Sequence, residues 1–475
     1  MENIVNNIKN LFKDNTDLVI KKIDYNLFNK IYVIYLETLT SSDKVNSYIL
    51  NNLSIYTYLN NRKIKKLNSI ISGPKSIINI DPSNIEFYIY NGYTIVINNN
   101  HIIGIETKKE LSRNISTANL EQTIKGPQDA FTENIESNMG QIKRRIKTTK
   151  LKNKDLFIGR RTKTKLSILY IDDICNLDII NNIENLLNKL DVDGVLDSSQ
   201  IAHFIDGENK TIFPTIKQTE RPDVVCKALL EGKVAIILDT SPFVLVLPAY
   251  FIDFINPISD TYTKSINVNF LKFLRLTCFI LSMITPAVYL SLVNYNQETI
   301  PTSLLINFAT QRVNLPFPTI IEALIMLFIV EILRETDIRF PSSFGSSISV
   351  LGALILGDAA VSAGIVSPIM IIIISLTFIS SLLFTELELS NALRNYRILF
   401  LILAGFLGLY GVFLALIIFF TNILSIKTLD KPYFAPIIPF DKYYFEESVT
   451  KIQDKNHTKR SILTTNKNFT RRKNL

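Results

Sequence analysis

The sequence predicts two related α/β lobes followed by an all-α polytopic membrane domain. Three observations carry that prediction. The chain has 475 residues, more than one ordinary core accommodates. Charged residues make up 20% of it, crowded into the first 270 positions and the tail, with long apolar runs between. Strand and helix signals in the charged part occur twice in the same order. The expected units are a first lobe over 1–110, a connecting helix over 111–150, a second lobe over 151–265, a transmembrane domain over 266–425 and a basic tail over 426–475.

Met1–Asp14 is amphipathic and charged, without an apolar core, so no cleaved signal peptide is expected and insertion falls to internal segments. Ile31–Leu36 is a β-branched and aromatic run, and Ser42–Leu53 then has helical apolar spacing. Phe87–Ile97 and His101–Ile105 flank an Asn-rich turn, the pattern of a hairpin. Pro127 suits a first helical position, and Phe131, Ile135, Met139, Ile142 and Ile146 share one face of that helix. Lys143, Arg144, Arg145 and Lys147 complement the dipole at its end. The second lobe repeats the first: a strand at Leu166–Ile171, a helix at Asn176–Leu190, and a hairpin of Val234–Leu238 and Phe243–Leu247.

Apolar runs follow at Phe270–Val293, Thr319–Leu333, Phe344–Gly364, Ile365–Phe384 and Ile398–Leu424. Lys264, Lys272 and Arg275 place the start of the first span inside, and the basic tail places the end of the chain inside. Both ends inside require an even count. Four spans are favoured, with Phe344–Phe384 supplying one crossing and a re-entrant helix. Five spans remain open, because four put Arg394 and Arg397 outside.

The net charge of +8 is concentrated after Asp454, where seven Lys and Arg residues leave +1 for everything else. Such a tail reads as a topology marker and a contact for anionic membrane lipid rather than as a nucleic-acid site. Cys175, Cys226 and Cys278 are far apart, without disulfide or zinc spacing. Glu231-Gly232-Lys233-Val234 lacks the remaining residues of a P-loop, and no nucleophile or paired-carboxylate motif is present. No enzyme activity is expected, and no catalytic, cofactor-binding or metal-ligating residue is assigned.

Ionisable residues at membrane depth cost roughly 2.5–3.5 kcal/mol each, which singles out Glu322, Glu331, Arg334 and Asp358. Glu331 and Arg334 are spaced to pair on one helix face. Ser346, Ser349, Ala353, Gly357, Ala360 and Gly364 recur at three- and four-residue intervals. This small-residue stripe suits close helix packing or the lining of a pore in an oligomer. Glu220, Arg221, Pro222 and Asp223 form a candidate assembly junction, with Asp223 placed to cap the following helix and Arg221 to pair with Glu220 or a neighbour; a plain helix cap is the alternative.

Several stretches recur in one order across most of the chain. They are Lys125-Gly126-Pro127-Gln128-Asp129-Ala130-Phe131, Thr219-Glu220-Arg221-Pro222-Asp223, Leu230-Glu231-Gly232-Lys233-Val234, Pro316-Phe317-Pro318 with Glu322-Ala323, Leu333-Arg334-Glu335, and Gly357-Asp358-Ala359-Ala360-Val361-Ser362-Ala363-Gly364-Ile365-Val366-Ser367-Pro368. Together they resemble the A-subunit family of GerA-type spore germinant receptors. The resemblance implies a multi-pass subunit of the spore inner membrane with cytoplasmic N- and C-terminal regions. It implies a B-type permease-like nutrient-binding partner, a C-type lipoprotein partner, a homo-oligomer, and a nutrient-gated cation channel in which the stripe lines the pore. The alternatives are the accessory membrane channel of the stage V A operon, a non-conducting scaffold and a solute transporter. Asp358 stands where the family usually has an uncharged residue, Asp239-Thr240-Ser241-Pro242 departs from the family's Asp-Gly turn, a Glu-Pro pair is missing near Thr117-Ala118, and Asp430-Lys431 replaces a Gly-containing motif before Pro432-Tyr433.

Overall fold

The computed structural model describes residues 2–26, 29–54, 75–98, 101–109, 118, 121–123, 125–207, 211–313, 315–339, 357–384, 386–451, 459–465 and 468–471. The first lobe contains helix α1 (Glu2–Leu11), strands β1 (Leu18–Asn26) and β2 (Asn29–Leu36), helix α2 (Ser42–Val45), β3 (Ser76–Ile78), α3 (Ile85–Tyr90), β4 (Tyr93–Asn98) and β5 (His101–Glu106). The second contains α4 (Ile135–Arg145), β6 (Leu151–Ile158), β7 (Thr164–Ile171), α5 (Leu177–Asn188), α6 (Ser198–Asp206), β8 (Lys217–Thr219), α7 (Pro222–Leu230), β9 (Val234–Leu238) and β10 (Val244–Leu247). The two sheets have the same strand order, β1-β2-β4-β5-β3 and β6-β7-β9-β10-β8. The lobes are therefore a duplication. Every pair of named strands is antiparallel, so each lobe is a helix-covered antiparallel sheet rather than a parallel α/β unit.

Alternation along the strands explains the layering. In β2, Ile31, Val33 and Tyr35 face α2 and its continuation, while Tyr32, Ile34 and Leu36 face α1 and α3. In the second lobe Leu166, Ile168 and Tyr170 pack under α5 and α6, and Leu169 and Ile171 under α4 and α7. Two expectations need correction. Phe87–Tyr90 is helical, so the first hairpin begins at Tyr93. The connecting helix starts at Ile135, capped by the Asn134 side chain, and Pro127 lies in an extended approach to it. Lys143 is not a solvated dipole partner: it is fully buried, 2.5 Å from Asp17 of the first lobe, and joins the two lobes.

Helix α8 (Phe251–Ile255) leads into a helical bundle: α9 (Ser265–Asn294), α10 (Thr302–Arg312), α11 (Thr319–Arg339), α12 (Pro368–Ser381), α13 (Leu387–Leu407), α14 (Leu409–Ser425) and, in the tail, α15 (Lys442–Ser448). Among the described residues, α9 is the one helix long and apolar enough to cross a membrane; α12 and α14 are shorter apolar helices. Exposed Phe270, Phe273, Ile372, Phe406, Phe413 and Ile417 give the bundle an apolar outer face.

The run Ile398–Leu424, expected as one span, is two antiparallel helices. Gly408 sits at φ +61 between them, with room beside Tyr295 only for a glycine. The Tyr396 and Phe419 rings, twelve positions before and eleven after the turn, meet at 5.2 Å. Both ends of the hairpin lie at the lobes: Glu386 is 3.7 Å from Lys217, and the Tyr396 ring stacks on Phe213 at 5.4 Å. Burying Phe213 of the second lobe among these rings contributes about 1.5–3 kcal/mol to holding lobe and bundle together. At the far end, the Tyr295 hydroxyl donates to the Gly405 carbonyl at 2.5 Å, and Thr319 to Asn294 at 2.9 Å.

Candidate functional site

Two polar centres stand out, one where the lobes meet the bundle and one inside the bundle. At the first, Arg221 is almost completely buried. Its guanidinium donates to Asp223 through Nε at 3.1 Å and Nη2 at 2.8 Å, to the carbonyls of Glu121 at 3.0 Å and Pro127 at 2.7 Å, and to Thr123 Oγ1 at 2.9 Å. Glu220 accepts from the Glu121 amide at 2.9 Å, and its carbonyl accepts from Phe131 at 2.7 Å. Pro222 takes the first position of α7, where its missing N–H is no loss. The Tyr262 hydroxyl donates to Asp223 at 2.6 Å, and its ring fills the space beside Gly126 at φ +114. Glu220, Arg221, Pro222 and Asp223 are thus brought together as a clasp within one chain, with Arg221 paired to Asp223 rather than Glu220. The clasp ties the segment around Pro127 to α7 and to the turn before α9.

Next to it, Lys233 donates to Asp253 at 2.6 Å and to Tyr444 at 3.0 Å, so the Gly-Lys pair anchors the tail to the second lobe. Lys272 donates to the Glu447 and Ser448 carbonyls at 2.9 and 2.8 Å, and Arg275 forms a two-pronged pair with Asp260 at 2.7 and 2.9 Å. Both cations are buried. They bind the tail and the turn before α9. In the tail itself, Arg460 donates to the Leu230 carbonyl at 3.0 Å and Arg471 to Glu447 at 2.8 Å. Arg275 reads in the sequence only as a topology marker, and Asp260 and Tyr444 carry no signal of their own, because the Tyr444 partners Lys233 and Asp253 are remote along the chain.

Inside the bundle, Glu322 is fully buried near the start of α11. Its Oε1 accepts from both the amide and the hydroxyl of Ser367 at 2.5 Å. Ser367 in turn caps α12 through Met370 at 3.3 Å, ahead of Pro368. Upstream, Gly364 at φ +62 ends a helical segment at 357–362, with Ile365 donating to Ala360 and Gly364 to Val361. Gly364 is therefore a helix terminator. Ala360 packs against the bundle core, whereas Asp358 is exposed together with Ala359, Ser362 and Ala363. Ser346, Ser349 and Ala353 lie outside the described residues. Glu331 pairs with Arg334 at 3.8 Å, but its shorter contact is Arg394 on α13 at 2.5 Å. Arg397, read in the sequence only as a topology charge beside Arg394, is buried and donates to the Ser282 carbonyl at 2.7 Å.

A duplicated lobe clasped onto a bundle with buried charge pairs defines the class structurally, and comparison places it. The model of the Bacillus/Clostridium GerA spore germination protein family matches residues 6–462, and the chain belongs to that family. Within it, the chain is a member of the germinant-receptor A-subunit group. It is 33% identical over 443 residues to spore germination protein KA of Bacillus subtilis, covering 92% of this chain and 81% of that one. Identity to the uncharacterized membrane protein YfkQ of the same organism is 32% over 446 residues, covering 93% and 87%. A solved structure, the N-terminal domain of the A subunit of the Bacillus megaterium spore germinant receptor GerK3, is 28% identical with a TM-score of 0.40, covering 52% of this chain and 94% of that one.

Proposed function

We propose that the chain is a nutrient-gated cation channel subunit of a spore germinant receptor, working in the spore inner membrane as a homo-oligomer beside B-type and C-type partners. The carrying observation is the outward face at 357–363. An exposed Asp358 with small neighbours stands on a bundle that also exposes large apolar side chains such as Phe270, Phe273, Ile372, Phe406, Phe413 and Ile417. Facing lipid, such a carboxylate costs roughly 2.5–3.5 kcal/mol, and facing a water-filled lumen it costs little. In a ring of copies Asp358 would recur as a ring of carboxylates, the arrangement that favours cations. On this reading α9, α11, α12, α13 and α14 lie in the bilayer, and both terminal regions share the cytoplasmic side. Thus Asp358, with Gly357 beside it, replaces Ala360 and Gly364 as the favoured lining.

A Cβ on Gly357 meets nothing within 4 Å among the described residues, so a larger side chain there leaves the subunit fold intact. Gly357→Leu is expected to reduce cation release from nutrient-exposed spores at least about tenfold, the scale of closing a narrow constriction with a dewetting side chain. Receptor abundance, measured by immunoblot of spore membranes, should stay normal. Undiminished release from a normally assembled receptor would leave this face as packing surface only.

A further inference from the structure

We infer that the cavity between the second lobe, the root of α9 and the tail is a binding site for a singly protonated phosphate group, free or carried as a phosphomonoester. The cavity measures about 400 Å³ and is lined by six cationic and five acidic side chains, so cations predominate. Most of its acids are already satisfied: Asp253 accepts from Lys233, Tyr250 and Tyr444, and Asp260 from Arg275. Glu231 is the exception. Its carboxylate accepts no hydrogen bond among the described residues, the nearest cation being Lys227 at 3.7 Å. Burial and the neighbouring Glu447 carboxylate push the Glu231 carboxyl up to about 7. On the donor side, Lys227 stands 3.7 and 3.9 Å from Glu231 and Glu447, beyond hydrogen-bond distance. Lys272 engages the Glu447 and Ser448 carbonyls, leaving the third proton of its ammonium for an occupant.

An occupant that satisfies this set brings one hydrogen-bond donor for Glu231 and several acceptors for Lys227 and Lys272. Hydrogen phosphate does so, with one P–OH and three other oxygens. Sulfate has no proton to give, and an ammonium group carries three donors toward a single waiting acceptor. The location gives occupancy a consequence. Lys227 and Glu231 belong to α7 and its end, Lys272 to α9, and Glu447 to α15, so a bound phosphate would cross-link lobe, bundle and tail at one point. This site goes beyond the channel reading and does not depend on it.

Calorimetric titration of the full chain in phosphatidylcholine nanodiscs with inorganic phosphate and with sulfate tests it. Run at pH about 7.5, Glu231 is mainly ionised while the cavity's lysines stay mainly charged and inorganic phosphate is mainly the singly protonated dianion. Phosphate is expected to bind at least about tenfold more tightly than sulfate, the worth of one charge-assisted hydrogen bond. Glu231→Gln, whose amide donates, should bring the two anions within about threefold of each other. Lys227→Met, at a partly exposed side chain, should lower phosphate affinity at least about tenfold with unchanged folding, and it keeps the test decisive should Glu231→Gln fail to fold. Nanodiscs containing phosphatidic acid, titrated at pH about 6.5 where a phosphomonoester still holds part of its second proton, separate the sources: loss of the phosphate signal there assigns the site to a lipid headgroup, and its persistence assigns it to free phosphate. Equal affinity for the two anions, or binding of neither by the unaltered chain in phosphatidylcholine, would overturn the inference.

Discussion

Arg221→Ala is expected to cost about 3–5 kcal/mol, the range for removing one partner of a buried, hydrogen-bonded charge pair. Three kinds of loss add together. Asp223 keeps only the Tyr262 hydroxyl and its neighbouring backbone amide as donors, and its charge stays buried. The Glu121 and Pro127 carbonyls and Thr123 lose their shared donor. Finally, a cavity the size of a guanidinium and its stem opens under the segment around Pro127. Hydrogen exchange followed by mass spectrometry reads this locally. Amides at 121–131, including Phe131 bonded to Glu220, should lose protection by about two to three orders of magnitude. Arg221→Lys should recover little, because an ammonium does not reproduce the guanidinium fork. Unchanged protection in Arg221→Ala would mean that the clasp carries no stability and that Pro222 and Asp223 act only as a helix start.

Gly411→Ala is expected to open the hairpin at the far end of the bundle. In most helices this exchange helps, since Ala is favoured over Gly by about 1 kcal/mol. Here the sign reverses. The added Cβ would overlap the Leu403 carbonyl of α13, a backbone atom with no rotamer to yield. Overpacking of this kind costs typically about 1–3 kcal/mol and more when both sides are backbone. The melting temperature of the detergent-solubilised protein should fall by several degrees. Gly357→Ala is the control, because its Cβ enters open space; its effect should stay within about 0.5 kcal/mol. If Gly411→Ala melted with the parent, the two helices would not pack as closely as described.

Much of this architecture was legible in the residues. The duplication shows in two strand–helix–hairpin sets, because alternating apolar runs and turn residues are local signals. The end of an apolar run at Gly364 was also readable, but that glycine counts in the small-residue stripe, and the cap at Ser367-Pro368 was not anticipated, although backbone preferences of single residues set both. The hairpin at Gly408 was not legible. Ile398–Leu424 is apolar throughout, and a glycine inside such a run marks a bend only when a neighbour such as Tyr295 closes on it. Most contacts of the clasp were hidden for a related reason. Arg221 could be paired with nearby acids from spacing, but its bonds to Glu121, Thr123 and Pro127 depend on a segment about a hundred positions upstream. Glu322 invited a functional reading by its cost at depth. Its contact with Ser367 shows that it also holds a helix break in place.

Cation flux from liposomes containing the purified chain, alone and with the proposed permease-like partner, tests the central claim most directly. The account predicts a cation leak from the assembled oligomer that responds to the partner's nutrient. It also predicts that Asp358→Lys lowers cation over anion preference, by placing positive charge where ions pass. No flux from a verified, correctly assembled oligomer under any ligand would contradict the account, leaving the chain a scaffold and placing conduction in a partner.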